Sequence, residues 1–450
     1  MPRAAHLEHS RGQRHRPATG QSHSERESCN CNFKAKISRL LRASAFMLLF
    51  SPPGIYAQRS AAMTFEEAAR LLLRNNPQAL AAERAKEAAL GRSLFYRAGL
   101  RPQFSANAAY NRVGGDLSAA DESYSYGFLA TQPLFSPSLP AAVRSALASS
   151  RKAEAEYDLV KSTLLFELKT VLADLLKARE ALKLSEETLK RRAENVEIIR
   201  IKYEAGRENK TALLETQSVN ETSLWQHENY KKDLRLLERK LNRLLALSPA
   251  AETAAPALPD TPEPPENLDA FSQALGRHPS LRAARARLDI SQASVDRSKS
   301  GFMPIADASG RYTWSGSEWP DKTKNWSAGV SLSLPLFTSG KLSADLAAAR
   351  ADKAGDEASL KDAGDEVYLN AEDAFLSLRQ AWAYIGVVKS SLEASNARAW
   401  LLRKQYLAGQ ASYFEWRNVE EQLISAENRL LSARRDLAVA HAAFMRSLGE

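Results

Sequence analysis

Two periods of hydrophobic spacing alternate along this chain. Phe104, Ala106, Ala108 and Tyr110 alternate with Gln103, Ser105, Asn107 and Asn111; Tyr124, Tyr126, Phe128 and Ala130 alternate with Ser125, Gly127 and Thr131. The pattern returns where Ala306, Ala308, Tyr312 and Trp314 alternate with Asp307, Ser309, Arg311 and Thr313. It returns again where Trp326, Ala328, Val330, Leu332 and Leu334 alternate with Ser327, Gly329, Ser331 and Ser333. Period two predicts strands with one apolar and one small polar face, at about 103–112, 123–132, 305–315 and 326–336. Such strands suit a soluble sandwich or a membrane barrel. Aromatic residues at the strand ends (Tyr110, Tyr124, Tyr126, Trp314, Trp326) and polar faces poor in long charged side chains favour the barrel.

The rest of the chain is spaced for helices. Thr64 to Arg74 reads as a short helix with Thr64 as its cap and Glu66 and Glu67 in its first turn; a counterpart is expected from about Asn267 to Arg277. Pro77 and Pro279 open a second helix in each half, as a proline at the first helical position does. These helices should stop near Leu100 and Gly301. Long proline-poor stretches follow at about 139–204 and 341–407. Leu164, Leu168, Val171, Leu175, Ala178 and Leu182 step by four and three, as do Val367, Ala371, Ala374, Leu378, Ala381 and Ile385. That spacing is a heptad seam for helices packed side by side. About 65 residues at 1.5 Å each make a rod of roughly 100 Å. Tyr203-Glu204-Ala205-Gly206 and Tyr406-Leu407-Ala408-Gly409 should end the rods with a left-handed glycine. Return helices of nearly forty residues then run to about Leu247 and Leu448.

These elements occur twice. Pro77, Pro102, Tyr110 and Pro133-Leu134-Phe135 recur as Pro279, Pro304, Tyr312 and Pro335-Leu336-Phe337, 202 positions on; Tyr203 and Gly206 recur as Tyr406 and Gly409, 203 on. So constant an offset points to duplication, with one residue gained between the two sets of markers. The repeats should span 63–248 and 267–450. A proline-rich linker at 249–266 should be extended and exposed.

Charge adds little. The chain has a formal charge of +9, but residues 1–57 hold nine of its basic residues against three acidic ones, which leaves the remainder near neutrality. Lys34 to Ala57 reads as a secretory signal: a basic stretch, an apolar run from Ala43 to Phe50, a Pro-Pro-Gly break and Ile55-Tyr56-Ala57 before an expected cleavage. Cys29 and Cys31 would leave with it, so neither a disulfide framework nor a cysteine metal site is expected in the mature protein. His227, His278 and His441 are not spaced as ligands or a triad, and no phosphate loop occurs. We therefore expect no enzyme, no cofactor and no metal. His278, just before Pro279, reads as a local cap. Lys190-Arg191-Arg192 lacks interleaved aromatics and reads as a solvated helix face, so no nucleic acid is expected.

Four strands cannot close a barrel, and an open sheet edge in lipid leaves backbone groups unpaired at several kcal/mol each. The chain must therefore associate with further copies, and three would give twelve strands.

On the Asn76-Pro77 and His278-Pro279 helix starts, the Pro-Leu-Phe strand exits and the two Tyr-x-x-Gly turns, residues 63–450 resemble TolC-like outer-membrane efflux proteins. The resemblance implies a mainly α protein with a small membrane β-barrel contribution. It implies a homotrimer with a twelve-stranded barrel in outer-membrane lipid and a helical tunnel across the periplasm, working with a periplasmic adaptor and an inner-membrane pump. It also implies a constriction near the tip glycines, where Glu415 and Asn418 fall at positions that commonly line the pore. Tyr406 matches a gate-latching tyrosine, but the expected acidic partner is Ala212 here and an expected arginine is Ala411. A ring of Glu415 carboxylates would favour cations; a solvated carboxylate on an exposed turn is the plainer reading. The same duct would serve small-molecule efflux or protein secretion. A periplasmic coiled-coil scaffold with a soluble sheet is the remaining alternative.

Overall fold

The computed structural model describes residues 63–115, 118–249, 251, 256, 258–317, 319 and 323–450. The signal sequence, its cleavage site and both cysteines lie outside the described residues. The first repeat comprises α1 (Phe65–Asn75), α2 (Pro77–Ala98), β1 (Gln103–Gly115), β2 (Ser118–Phe135), α3 (Ser138–Glu204) and α4 (Lys210–Leu244). The second comprises a 3₁₀ turn (Leu268–Phe271) leading into α5 (Ser272–Gly276), then α6 (Pro279–Ser300), β3 (Ile305–Gly316), β4 (Thr323–Ser333), α7 (Lys341–Leu407) and α8 (Tyr413–Ser447). Where a single helix is expected at 267–277, the backbone winds tightly from the Asn267 cap before its one regular turn and a half.

The two halves match element by element. The helices α2 and α6 have 22 residues each, α3 and α7 have 67, and α4 and α8 have 35. The extra residue of the second repeat lies at the strand exit. Two residues, Ser136 and Pro137, separate β2 from α3, whereas Thr338, Ser339 and Gly340 stand between Phe337 and α7. Ser339 and Gly340 both take positive φ there. The strand β4 ends at Ser333, opposite Ile305 where β3 begins, so Pro335-Leu336-Phe337 has no strand beside it and lies outside β4.

The four strands form one antiparallel sheet in the order β1-β2-β3-β4. Register gathers the apolar sets onto one face: Ala106 faces Phe128, Phe128 faces Tyr312, and Tyr312 faces Trp326. That face is bare in the single chain, with Phe104 at 81%, Trp326 at 76% and Leu332 at 71% exposure. Near the hairpin ends Tyr110, Tyr124, Tyr126, Trp314 and Trp319 form an aromatic cluster, Tyr126 stacking on Trp314 with centroids 5.3 Å apart. Side chains that are apolar in their middle and polar at one tip suit a membrane interface. No helix among the described residues is long and apolar enough to cross a membrane.

Each rod is flanked by a stacked pair of shorter helices. The pair meets end to end where Asn76, the cap of α2, donates through Nδ2 to the Leu244 carbonyl at the end of α4, 2.9 Å away. His278 caps α6 in the same place, its Nδ1 accepting from the Ser280 amide. The joints are built over two cores. Leu72, Leu164, Leu168, Val171, Leu175, Leu241 and Leu245 fill the first, and Leu281, Val367, Ala371, Phe375, Leu378 and Phe444 the second. Beyond Leu175 the buried stripe of α3 shifts off the expected Ala178 and Leu182 onto Ala181, Ser185, Thr188, Arg192, Asn195 and Ile199. The inter-repeat linker is not wholly exposed. Pro256 is buried, and Leu258, the one leucine of the linker, packs against the first core, because its side chain has helix surface within reach.

Candidate functional site

The far ends of the two helical hairpins carry every residue singled out for the constriction. Gly206 and Gly409 take φ of 71° and 79°. The Arg207 amide donates back to the Lys202 carbonyl and the Gln410 amide to that of Gln405, both at 2.8 Å. These bonds close the rod ends as a left-handed cap requires. Each return helix then restarts from its own cap. Asn209 Oδ1 accepts from the Ala212 amide, and Ser412 Oγ from the Glu415 amide.

The two turns are alike in backbone and unlike in side-chain packing. Tyr406 is buried, stacked on Trp416 with centroids 4.6 Å apart and planes 10° apart. Lys202, from the other hairpin, lies 3.7 Å above the Tyr406 ring and donates to the Tyr406 carbonyl at 2.6 Å. The Tyr406 hydroxyl donates to Glu208 Oε2 at 3.0 Å. Burial pushes the Tyr406 hydroxyl well above the usual tyrosine range, and the bond to the Glu208 carboxylate pushes it further. Tyr203, the counterpart of Tyr406, is exposed.

The tyrosine therefore has an acidic partner, two residues after the first tip glycine instead of six. Alanine at 212 does not abolish the link, because Glu208 sits on the turn itself and reaches the same hydroxyl. Ala212 instead packs in the small core of Ile199, Tyr406, Tyr413 and Trp416. Spacing after the glycine gives no sign of Glu208; a search for any carboxylate on the facing turn would have included it.

Glu415 has a local occupation. Its Oε2 accepts from the Ser412 amide and hydroxyl, both at 2.9 Å, completing a capping box. The backbone bond first, and then the hydroxyl, hold its carboxyl below the usual carboxylate range. The Ser412-x-x-Glu415 spacing is the sequence signature of that box. Glu415 stays exposed, as does Asn418 one turn on.

Polar links between the two repeats continue up the wall. Arg417 meets Glu215 at 2.8 Å, Arg191 meets Glu427 at 2.8 Å, and Arg435 meets Asp174 at 2.7 Å. The Thr216 and Tyr413 hydroxyls lie 2.9 Å apart. The basic run at 190–192 is thus solvated only in part: Lys190 is exposed, and the two arginines are not. Arg191 is paired, and Arg192 is buried beside Glu420, which is itself buried. That burial lowers the Arg192 pKa from its usual value, with the charges of Glu421 and Glu420 opposing the shift. A run of like charges can be buried when the facing helix supplies acids, and the run alone does not show them. Of the three histidines among the described residues, His227 bonds Ser185 at 2.8 Å inside the helix pair and His278 caps α6. Burial, and next the nearby Lys169, keep His441 below the usual histidine range.

The sequence profile of the family described as "Outer membrane efflux protein" matches residues 68–247 and 270–450. Outer membrane efflux protein BepC of Brucella suis is 21% identical over 289 residues, a stretch that spans 63% of this chain and 63% of that protein. Alkaline protease secretion protein AprF of Pseudomonas aeruginosa is 24% identical over 394 residues, 83% of this chain and 81% of that protein. Among solved structures, the outer membrane protein VceC of Vibrio cholerae superposes with a TM-score of 0.75 at 17% identity. That superposition covers 86% of this chain and 96% of VceC.

Proposed function

We propose that this chain, which belongs to the outer membrane efflux protein family, is one third of an exit duct. Three copies close a twelve-stranded barrel in the outer membrane, and their helices enclose a tunnel across the periplasm. An inner-membrane pump and a periplasmic adaptor deliver small molecules to it. The observation that carries this reading is a four-stranded sheet with two open edges and a bare apolar face, mounted on rods of 67 residues. An exposed apolar face that large needs lipid, and open edges in lipid need partner strands.

The constriction lies at the helical tips. There Tyr406, Gly409, Tyr203 and Gly206 shape the turns, while Glu415 and Asn418 face the narrowing pore from exposed positions. A ring of Glu415 carboxylates favours cations at the inner mouth. Planar-bilayer recording checks this: Glu415→Gln should lower cation preference and weaken block by divalent cations. Unchanged selectivity and block would leave Glu415 as a helix cap alone. A second reading, export of proteins through the same duct, is favoured by the extent of the match to AprF. Which cargo leaks into the cytoplasm when the gene is deleted would separate the two.

A further inference from the structure

We infer that a cleft at the strand-proximal end of α3 is a seat for an organic phosphate, with Arg92 and Arg297 gripping the phosphate group. The cleft has a volume of about 320 Å³ and opens where α2 and α6 straddle the start of α3. Its floor and walls are small: Ala142, Ser145 and Ala146 from α3, Ala89 from α2 and Ala293 from α6. None of these side chains is long enough to fill the angle between three helices, so the space stays open.

The mouth carries charge of one sign. Arg92 comes from α2 and Arg297 from α6, and both are exposed. Neither has an ion-pair partner among the described residues, whereas Arg84, Arg144, Arg151, Arg282 and Arg287 in the same wall each meet a carboxylate. Among the described residues no acid lines the cleft. Two guanidiniums over one cleft repel each other, and an anion held between them is attracted to both. Their planar forks match phosphate oxygens two at a time. The hydroxyls of Tyr96, Ser145 and Ser294 add donors to the lining, while that of Ser149 is taken up by the Ser145 carbonyl.

The cation pair does not follow from the repeated architecture. At the offsets of 202 and 203, Arg92 and Arg297 correspond to Ser294 and Phe95, and Ala142 and Ser149 correspond to Asp345 and Asp352. The matching surface of the other half therefore has acids where the cleft is neutral, and lacks both arginines. One half of the chain alone carries the seat.

The alanines and Ile290 give the cleft an apolar side, which favours a phosphate attached to a carbon skeleton over a bare ion. Two sources carry such a group: a soluble phosphate ester, and the glycerophosphate headgroup of a phospholipid. Position suits the second. The near edge of the cleft, at Ala141, lies about 5 Å along α3 from its start, roughly the depth of one headgroup layer. Leu94, Phe95, Phe302 and Met303 by the helix ends are exposed and apolar, as acyl chains require. The lipid source rests on the membrane barrel proposed above, and the seat itself on the single chain.

Binding to the full-length protein in detergent tests this, with glycerol phosphate followed by titration calorimetry and phosphatidylglycerol by native mass spectrometry. The wild type should bind at least one of the two. Arg92→Gln and Arg297→Gln, both at exposed sites, should each weaken that binding by about tenfold or more, as loss of a charged hydrogen-bond partner does. Arg97→Gln with Lys299→Gln removes two charges outside the cleft and should leave binding near the wild-type value. Binding of phosphatidylglycerol alone supports the seat and assigns it to lipid; binding of the free ester supports the seat with a soluble source. Four results overturn it: no binding of either by the wild type, retained binding in both arginine variants, an equal loss in the Arg97 and Lys299 control, or inorganic phosphate binding as tightly as the ester. A chain that binds the ester and forms no oligomer keeps the seat and removes the duct.

Discussion

The rods α3 and α7 hold equivalent places in the two halves and have the same length, yet α3 buries seventeen of its residues and α7 eight. Position accounts for the difference. The first rod runs between α2 and α4 on one side and α6 and α8 on the other, whereas the second has protein on one side only. Composition matches position: the rod inside the chain carries leucines and charge partners, and the rod at the edge carries alanines and exposed apolar residues such as Tyr368, Leu369, Leu376 and Val387. Duplication supplies a repeated backbone, and neighbours decide what each copy of it must carry.

The sharpest challenge to this comparison is Leu168→Ala, at a fully buried site whose counterpart is already Ala371. Removing the leucine should cost about 2–5 kcal/mol in urea unfolding followed by circular dichroism, as buried leucine deletions do. Leu376→Ala on the bare flank of α7 should leave unfolding of the single chain unchanged and lower the temperature at which the oligomer dissociates. Equal losses for the two variants in the single chain would refute the contrast between inner and edge rods.

A smaller effect is expected where the repeats end. Gly449 takes φ of 87°, and a β-carbon there would stand 2.6 Å from Pro279 Cδ. Gly449→Ala should therefore cost about 1–3 kcal/mol from overpacking. Its counterpart Ala246 already bears a side chain at φ 54°; Ala246→Gly should stabilise by roughly 0.5–1 kcal/mol, since alanine is strained in that region. Melting curves of the two variants should move in opposite directions.

Next comes Tyr406→Phe, which removes the bond to Glu208. The loss should be about 1 kcal/mol, typical of one hydrogen bond. Tyr203→Phe, at the exposed counterpart, should change nothing in the same thermal melt.

The smallest effect is on pH. Burial holds His278 below the ordinary histidine value of 6.5, the Arg282 and Arg446 charges add to this, and a backbone bond at Arg446 opposes it. A base whose folded pKa is depressed stabilises the fold at pH above its unfolded value, and that contribution fades as pH falls from there through the depressed value. Acidification below about 6.5 should therefore lower the melting temperature. His278→Asn, which copies the Asn76 cap of the first repeat, should keep the cap and flatten that dependence.

Much of this could be read in the chain beforehand, because strong periodicity and punctuation carry long elements. The Pro77 and Pro279 starts and the two tip glycines mark helix boundaries within a residue or two. What stayed hidden depended on the facing element. Glu208 finds Tyr406 across two hairpins, Arg192 is buried by acids more than two hundred residues away, and the linker residue Leu258 docks because a groove lies beneath it. The shift of the α3 stripe past Leu175 is similar. A straight helix drifts about 20° per heptad from a strict seven-residue repeat, so the buried stripe moves over successive turns.

The bare edges of β1 and β4 also govern how the protein is made. An isolated copy in a bilayer would hold two rows of unpaired amides and carbonyls against hydrocarbon, a state too costly to accumulate. In water the same edges are templates for any passing strand. Productive closure therefore competes with misassembly at every encounter between copies, and its yield depends on how often the right ones meet. Refolding into detergent at a series of protein concentrations should show an optimum, with unassembled chain dominating below it and aggregate above.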